Sequence, residues 1–204
     1  MSSFRQTKCK LWQDINFLTI KYLVISLLAE YLIKGSNPWD AKIFSNDKLI
    51  AEIKKGENVT FKMISTDGHE WIITRKVHGQ YRPFSISIFD QNSGVREGQE
   101  VFTIREHLFK HNGKFYMLIN HPEGRHWNDY LSGPRYISRL DNFPYSDLTE
   151  LDHHIKHRLK RFRGVPVGEA SGLGTDSHCV KIDKEVEDIG LFIAASSYLI
   201  YSTT

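Results

Sequence analysis

From Ile189 to Tyr201 the chain carries no charged side chain, and only Gly190, Ser196 and Ser197 interrupt the apolar run. A run of that length falls short of the roughly 20 residues needed to span a bilayer. Asp183, Glu185, Glu187 and Asp188 precede it, as suits a helix N-terminus, and Ala194 and Ala195 favour helix at its centre. A helix apolar on every side must be buried on every side. Upstream the period is different. "WDAKIFSNDKLIAEIKKG" reads as two short strands about a turn at Ser45-Asn46-Asp47. "NVTFKMISTDGHEWIITRK" reads as two more, with Asp67-Gly68 as a hairpin signal and with Phe61, Met63 and Ser65 on one face; Trp71 and Ile73 alternate on the return. Phe84, Ile86 and Ile88 share a face of the next strand, Asn112-Gly113 separates two further apolar runs, and "RYISRLDNFP" gives a strand ending at Asp141.

Short strands at near-regular spacing, joined by Asn/Asp/Gly turns, predict a closed or nearly closed antiparallel sheet. The natural place for an all-round apolar helix in such a protein is inside the sheet. One segment breaks the strand rhythm. In "SDLTELDHHIKHRLKRF", Leu148, Leu151, Ile155, Leu159 and Phe162 recur at helical spacing, Asp147 and Glu150 resemble a capping box, and Gly164 and Pro166 stop the pattern. An inserted amphipathic helix over 147–163 is expected. "GVPVGEASGLGTDSHCVKI" is read mostly as turns, with Cys179-Val180-Lys181-Ile182 as a last strand. The fold class is therefore mainly β (α+β): a closed antiparallel β-barrel around a buried hydrophobic C-terminal helix, plus a basic amphipathic helix. Residues 1–204 form a single domain, with 1–19 an N-terminal appendage.

That order resembles the tubby-like fold shared by tubby C-terminal domains, phospholipid scramblases and plant LURP-one-related proteins. The strand pairs "AKIFSNDKLIAEI" and "FKMISTDGHEWIITRK", followed by "VKIDKEVEDIGLFIAASSYLIYST" as last strand and core helix, carry the likeness over about residues 20–201. The resemblance implies a barrel threaded by its final helix and an affinity for phosphoinositides. The scramblases' cysteine-rich acylation stretch and proline-rich N-terminus have no counterpart here, nor do the "HHIKHRLKRFRG" and "RHWNDYLSGPR" segments match a motif of the family.

Composition changes the picture little. The 204 residues are 40% hydrophobic and 25% charged, with a net charge of +3, too small by itself to indicate a polyanion partner. Two distant cysteines, Cys9 and Cys179, offer neither a disulfide framework nor a zinc pattern, which suggests a reducing, cytoplasmic setting. The apolar segment 15–33 is broken by Lys21 and Glu30 and is read as core material rather than a signal peptide or span, so no transmembrane span is expected.

Charge distribution says more. Lys156, Arg158, Lys160, Arg161 and Arg163 crowd one stretch of the predicted basic helix, beside His153, His154 and His157. Such a strip suits an anionic partner: lipid headgroups at a membrane periphery, a nucleic-acid backbone, or an acidic protein surface. The plainer alternative is a solvated helix face offset by Asp147, Glu150 and Asp152. His107/His111 and His153/His157 have i,i+4 spacing but no third ligand nearby, and no metal or cofactor is implied. A second cluster, His121, Glu123, Arg125, His126, Asp129 and Arg135 with Trp127 and Tyr130, would suit a hydrolase-like loop, although no nucleophile or phosphate-binding motif accompanies it. The expectation is a non-enzymatic binding module for anionic lipid headgroups or a protein partner, acting through the five cations. A hydrolase using the 121–135 loop and a nucleic-acid-binding protein are the alternatives.

Overall fold

The computed structural model describes residues 28–57, 60–76, 85–96, 98–105, 107–120, 135–150, 164–172 and 177–201. Within them twelve strands run in chain order: β1 (Ala29–Asn37), β2 (Asp40–Ser45), β3 (Lys48–Lys55), β4 (Thr60–Ser65), β5 (Glu70–Lys76), β6 (Ser85–Asp90), β7 (Gln99–Arg105), β8 (Leu108–His111), β9 (Lys114–Asn120), β10 (Arg135–Leu140), β11 (Val165–Gly172) and β12 (Ser177–Ile182). Each strand pairs antiparallel with its neighbour in sequence, and β1 pairs with β12 from Ala29↔Ile182 to Lys34↔Ser177, closing the barrel. A 3-10 segment, Lys184–Ile189, then leads into α1 (Gly190–Tyr201). The mainly β class, the closed antiparallel barrel and the C-terminal helix all match the sequence expectation.

Turn chemistry explains the hairpins. Asn46 and Asn112 have φ of 49° and 48°, and their followers Asp47 and Gly113 have 62° and 74°. Positive φ at both central residues is the two-residue hairpin turn that matches strand twist. Asp67-Gly68 instead lies within a four-residue connection closed by Ser65 N–H to the His69 carbonyl (2.9 Å). The run "EVFTIREHLFKH" is two strands, broken where His107 takes φ 68° and Arg105 pairs with Leu108.

The stretch after Gly164 corrects the sequence reading. Val165–Gly172 is strand β11, bonded to β10 on one side and β12 on the other, where turns were expected. Its glycine and proline have wall-specific reasons. A Cβ at Gly168 would lie 2.6 Å from the Lys181 carbonyl oxygen, and Pro166 sits where the β10–β11 register shifts at a bulge.

A barrel of twelve strands encloses more room than wall side chains can fill, and α1 occupies it. Ile193, Ala194, Ala195 and Leu199 are fully buried, in one cluster with inward residues from every sector of the wall, among them Ile33, Ile53, Ile88, Ile104, Leu118 and Val180. The helix runs close to β12 and β1. His178 hydrogen-bonds Ser197 (2.7 Å), the Tyr198 hydroxyl donates to the carbonyls of Asn37 (2.9 Å) and Gly35 (3.3 Å), and a Cβ at Gly190 would meet the Tyr31 hydroxyl. On the far side, larger side chains fill the gap: Met63, Ile73, Phe102 and Phe109. Outward positions carry Lys42, Glu52, Lys54 and Lys62, with ion pairs Lys54–Glu52 (2.7 Å) and Lys62–Glu70 (2.6 Å). This apolar-in, charged-out wall reverses the pattern of a membrane-spanning barrel. Among the described residues no helix is long and apolar enough to cross a membrane. The rim where α1 begins is called proximal below, and the rim where it ends distal.

Candidate functional site

The five sequence-nominated cations, Lys156, Arg158, Lys160, Arg161 and Arg163, lie outside the described residues, as do His153 and His157; both attachments of that segment are described. On the near side, the chain leaves β10 at Leu140 and lays Phe143, Tyr145 and Leu148 over an outer cluster of Leu108, Phe115, Met117 and Leu140. A 3-10 turn, Leu148–Glu150, follows. Its caps partly match the expected box: Asp147 accepts from Thr149 N–H (2.8 Å), whereas Glu150 reaches one residue further back, to Ser146 N–H (3.0 Å) and the Ser146 hydroxyl. Lys110 Nζ ties the Ser146 carbonyl to β8 (2.7 Å). On the far side, the chain rejoins the wall at Gly164, where a Cβ would crowd Arg139 O and Ser138 Cβ, and Val165 pairs with Arg139. The described residues on either side of the cationic segment, Leu148–Glu150 and Gly164, thus both lie against the β8–β10 part of the wall.

The 121–135 loop joins β9 to β10 at the distal rim. Residues 121–134 lie outside those described, and of this cluster only the backbone of Arg135, opening β10, is placed. His107 and His111 fall at opposite ends of strand β8, so their i,i+4 spacing does not bring them together. Among the described residues no three His, Cys, Asp or Glu side chains converge as metal ligands.

A cluster that sequence reasoning missed sits at the proximal rim. Glu185, in the link between β12 and α1, accepts hydrogen bonds from the Tyr116 hydroxyl (2.8 Å), Lys114 Nζ (3.1 Å) and Arg139 Nη1 (2.5 Å). Arg139 also donates Nε–H to Asp141 (2.6 Å), and His111 Nε2 lies 3.1 Å from Asp188 Oδ1. Asp183 caps the link by accepting from Glu185 N–H (3.2 Å). Partial burial pushes the Glu185 carboxyl upwards, but the bonds from Tyr116, Lys114 and Arg139 outweigh it and hold the group below the usual carboxylate range. Burial first, then the hydrogen bond to Glu185 and its charge, pushes the Tyr116 phenol well above its ordinary value. Glu185 stays ionised and Tyr116 stays a neutral donor. An acid–base catalyst needs a group poised near the working pH with a free site for the reacting proton. Glu185, with three donors on its two oxygens, has the character of a clasp fixing the angle at which the chain enters the barrel. The only sequence signal was the acidic run 183–188, whose partners lie far away along the chain.

Elsewhere, Cys179 on β12 is buried beside Glu30 (Sγ to Oε1 3.7 Å); burial, with the Glu30 charge adding to it, pushes its thiol up to about 11. A thiol so shifted is a poor nucleophile near neutrality. At the distal rim, Trp39 stacks on Phe61 (5.1 Å between centroids, 12° between planes), with Lys55 Nζ 5.9 Å from its centroid. In comparisons with known proteins, no family model, no curated protein and no solved structure matches this chain.

Proposed function

We propose that the protein is a non-enzymatic binding module whose partner is an anionic lipid headgroup surface, engaged through Lys156, Arg158, Lys160, Arg161 and Arg163. The observation that carries the reading is this cationic run in the sequence, between two described flanks that pack on the wall: Leu148 on the outer cluster and Gly164 against β10. The interior agrees with it: among the described residues, apolar wall and helix side chains bury one another around the axis, which leaves charged groups to the outer surface. The resemblance to tubby-like domains supports lipid over nucleic acid. Each basic residue near an anionic membrane contributes about 1 kcal/mol, so several acting together give useful affinity without a deep pocket.

The test is co-sedimentation of the whole protein with neutral, phosphatidylserine and phosphoinositide vesicles at two salt concentrations. Binding to the anionic vesicles that weakens with salt is expected, and the triple reversal Arg158→Glu, Lys160→Glu, Arg161→Glu should weaken it about a hundredfold or more. Undiminished binding by the triple variant removes this strip from the site. No binding to any vesicle by the natural protein overturns the lipid reading and leaves a solvated face or a protein partner.

A further inference from the structure

Among the described residues Trp39 is the one aromatic left exposed, at 40%. A single exposed apolar residue needs no explanation, but Trp39 is not merely left out. It occupies the tip of the β1–β2 hairpin beside Pro38, and its backbone N–H is held by the Asn37 side-chain oxygen (3.0 Å). From inside the barrel, Tyr198 grips the carbonyls on the same hairpin, at Gly35 and Asn37. One ring face rests on Phe61, an inward residue of β4. The ring is therefore presented at the distal rim in one fixed orientation, with little rotamer entropy left to lose on binding.

One lysine lies close to it, Lys55, with its Nζ 5.9 Å from the ring centroid, and other basic residues share its rim. Lys54, Lys55 and Lys76, all exposed, lie at the distal ends of β3 and β5, and Arg105 ends β7 on the same rim. Asp40 and Glu57 are the acidic residues on this arc, and Glu52 shares the charge of Lys54. An indole held at a hairpin tip, with the Lys55 ammonium 5.9 Å from its centroid and further basic residues along the same rim, fits the boundary layer of a bilayer. There the ring occupies the headgroup level and the ammonium groups meet phosphates.

We propose that the distal rim around Trp39 is a second membrane contact, with the indole seated among the headgroups of an anionic bilayer and Lys55 and Lys76 facing its phosphates. The proposal goes beyond the cationic strip but rests on the same class of partner.

The experiment uses the whole chain, with Trp12 and Trp127 replaced by phenylalanine in the parent and in every variant, and phosphatidylserine/phosphoinositide vesicles containing lipids brominated near the headgroup, reading tryptophan fluorescence and sedimentation together. Trp39→Phe keeps a ring to stack on Phe61. Quenching by the brominated lipids should be present in the parent and largely lost in Trp39→Phe. Lys55→Glu should weaken vesicle binding about tenfold while leaving the thermal midpoint unchanged. Equal quenching in Trp39→Phe and the parent overturns the proposal; so does full-strength binding by Lys55→Glu. The two sites fail separately. Loss of binding in the strip reversal with unchanged quenching in Trp39→Phe leaves the strip standing alone. The converse result leaves the rim. A natural protein that binds no vesicle overturns both.

Discussion

Glu185 shows how one side chain can join distant parts of the sequence. It lies between the last strand and the helix, yet its partners Lys114, Tyr116 and Arg139 belong to β9 and β10. Replacing it by glutamine preserves shape and an acceptor for Tyr116 but removes the charge that balances Arg139 and Lys114. We expect Glu185→Gln to cost about 1–2 kcal/mol at neutral pH, modest because the pair is partly open to water. The pH dependence has a definite direction. Arg139 holds Asp141 low through their hydrogen bond, and the bonds to Glu185 outweigh its burial, so both carboxyls have folded-state values below their unfolded ones. Their stabilisation is complete above the unfolded carboxylate range, about pH 4–4.5, and is lost as pH falls through the folded values. The gap between the natural protein and Glu185→Gln in urea midpoints should therefore be full at pH 7 and shrink below about pH 4. A gap that stays constant across that range would mean the charge of Glu185 does not matter.

At the scale of elements, legibility followed whether the cause was local. Hairpins at Asn46-Asp47 and Asn112-Gly113 were readable because positive φ at two adjacent positions is a demand that Asn, Asp and Gly meet cheaply. The last helix was readable because a charge-free run in a strand-rich chain has few other destinations. β11 was not readable. Gly164, Pro166, Gly168 and Gly172 look like turn residues, and the reason for Gly168 is a carbonyl of a strand that follows in sequence. The split between β7 and β8 was hidden for a similar reason: His107 turns the chain without a glycine. Of the site, the sequence displayed the cations but not their attachments, and it could not show the clasp, whose members meet only once the barrel closes. Gly168→Ala tests the close-approach account directly. Its methyl would press on the Lys181 backbone carbonyl, which cannot swing aside as a side-chain end can, and on the Ile137 side chain, so destabilisation of about 1–3 kcal/mol is expected in a denaturant titration. A neutral result would leave the glycine in mid-strand without its present explanation.

The whole molecule is a wall and a plug, neither of which is complete alone. The wall closes only when β1 meets β12 across nearly the full length of the barrel-forming chain, and the plug follows the last of those strands. Closing so non-local a contact is slow, because the chain entropy is lost before the contacts are gained. Once formed, core contacts run from the far wall through the helix to the near wall, so loss of packing on either side should be felt throughout. Ile193 on α1 and Ile88 on β6 are both fully buried in the one cluster. Truncating either to alanine is expected to cost about 2–5 kcal/mol. The stronger prediction concerns cooperativity. Far-UV circular dichroism follows the wall, and in a background with Trp12, Trp39 and Trp127 replaced by phenylalanine, Trp71, packed 5.8 Å from Phe192, reports whether the helix is seated. In that background and with Ile193→Ala or Ile88→Ala added to it, the two signals should share one unfolding midpoint, shifted together in the variants. If the tryptophan signal of Ile193→Ala moved ahead of the circular dichroism, the helix would be leaving a barrel that stands without it, and the wall would have to hold its shape around an emptied core. The side chains argue against such an empty state: Met63, Ile73, Phe102 and Phe109 would lose their packing partners across the axis while the wall's hydrogen bonds gained nothing in return.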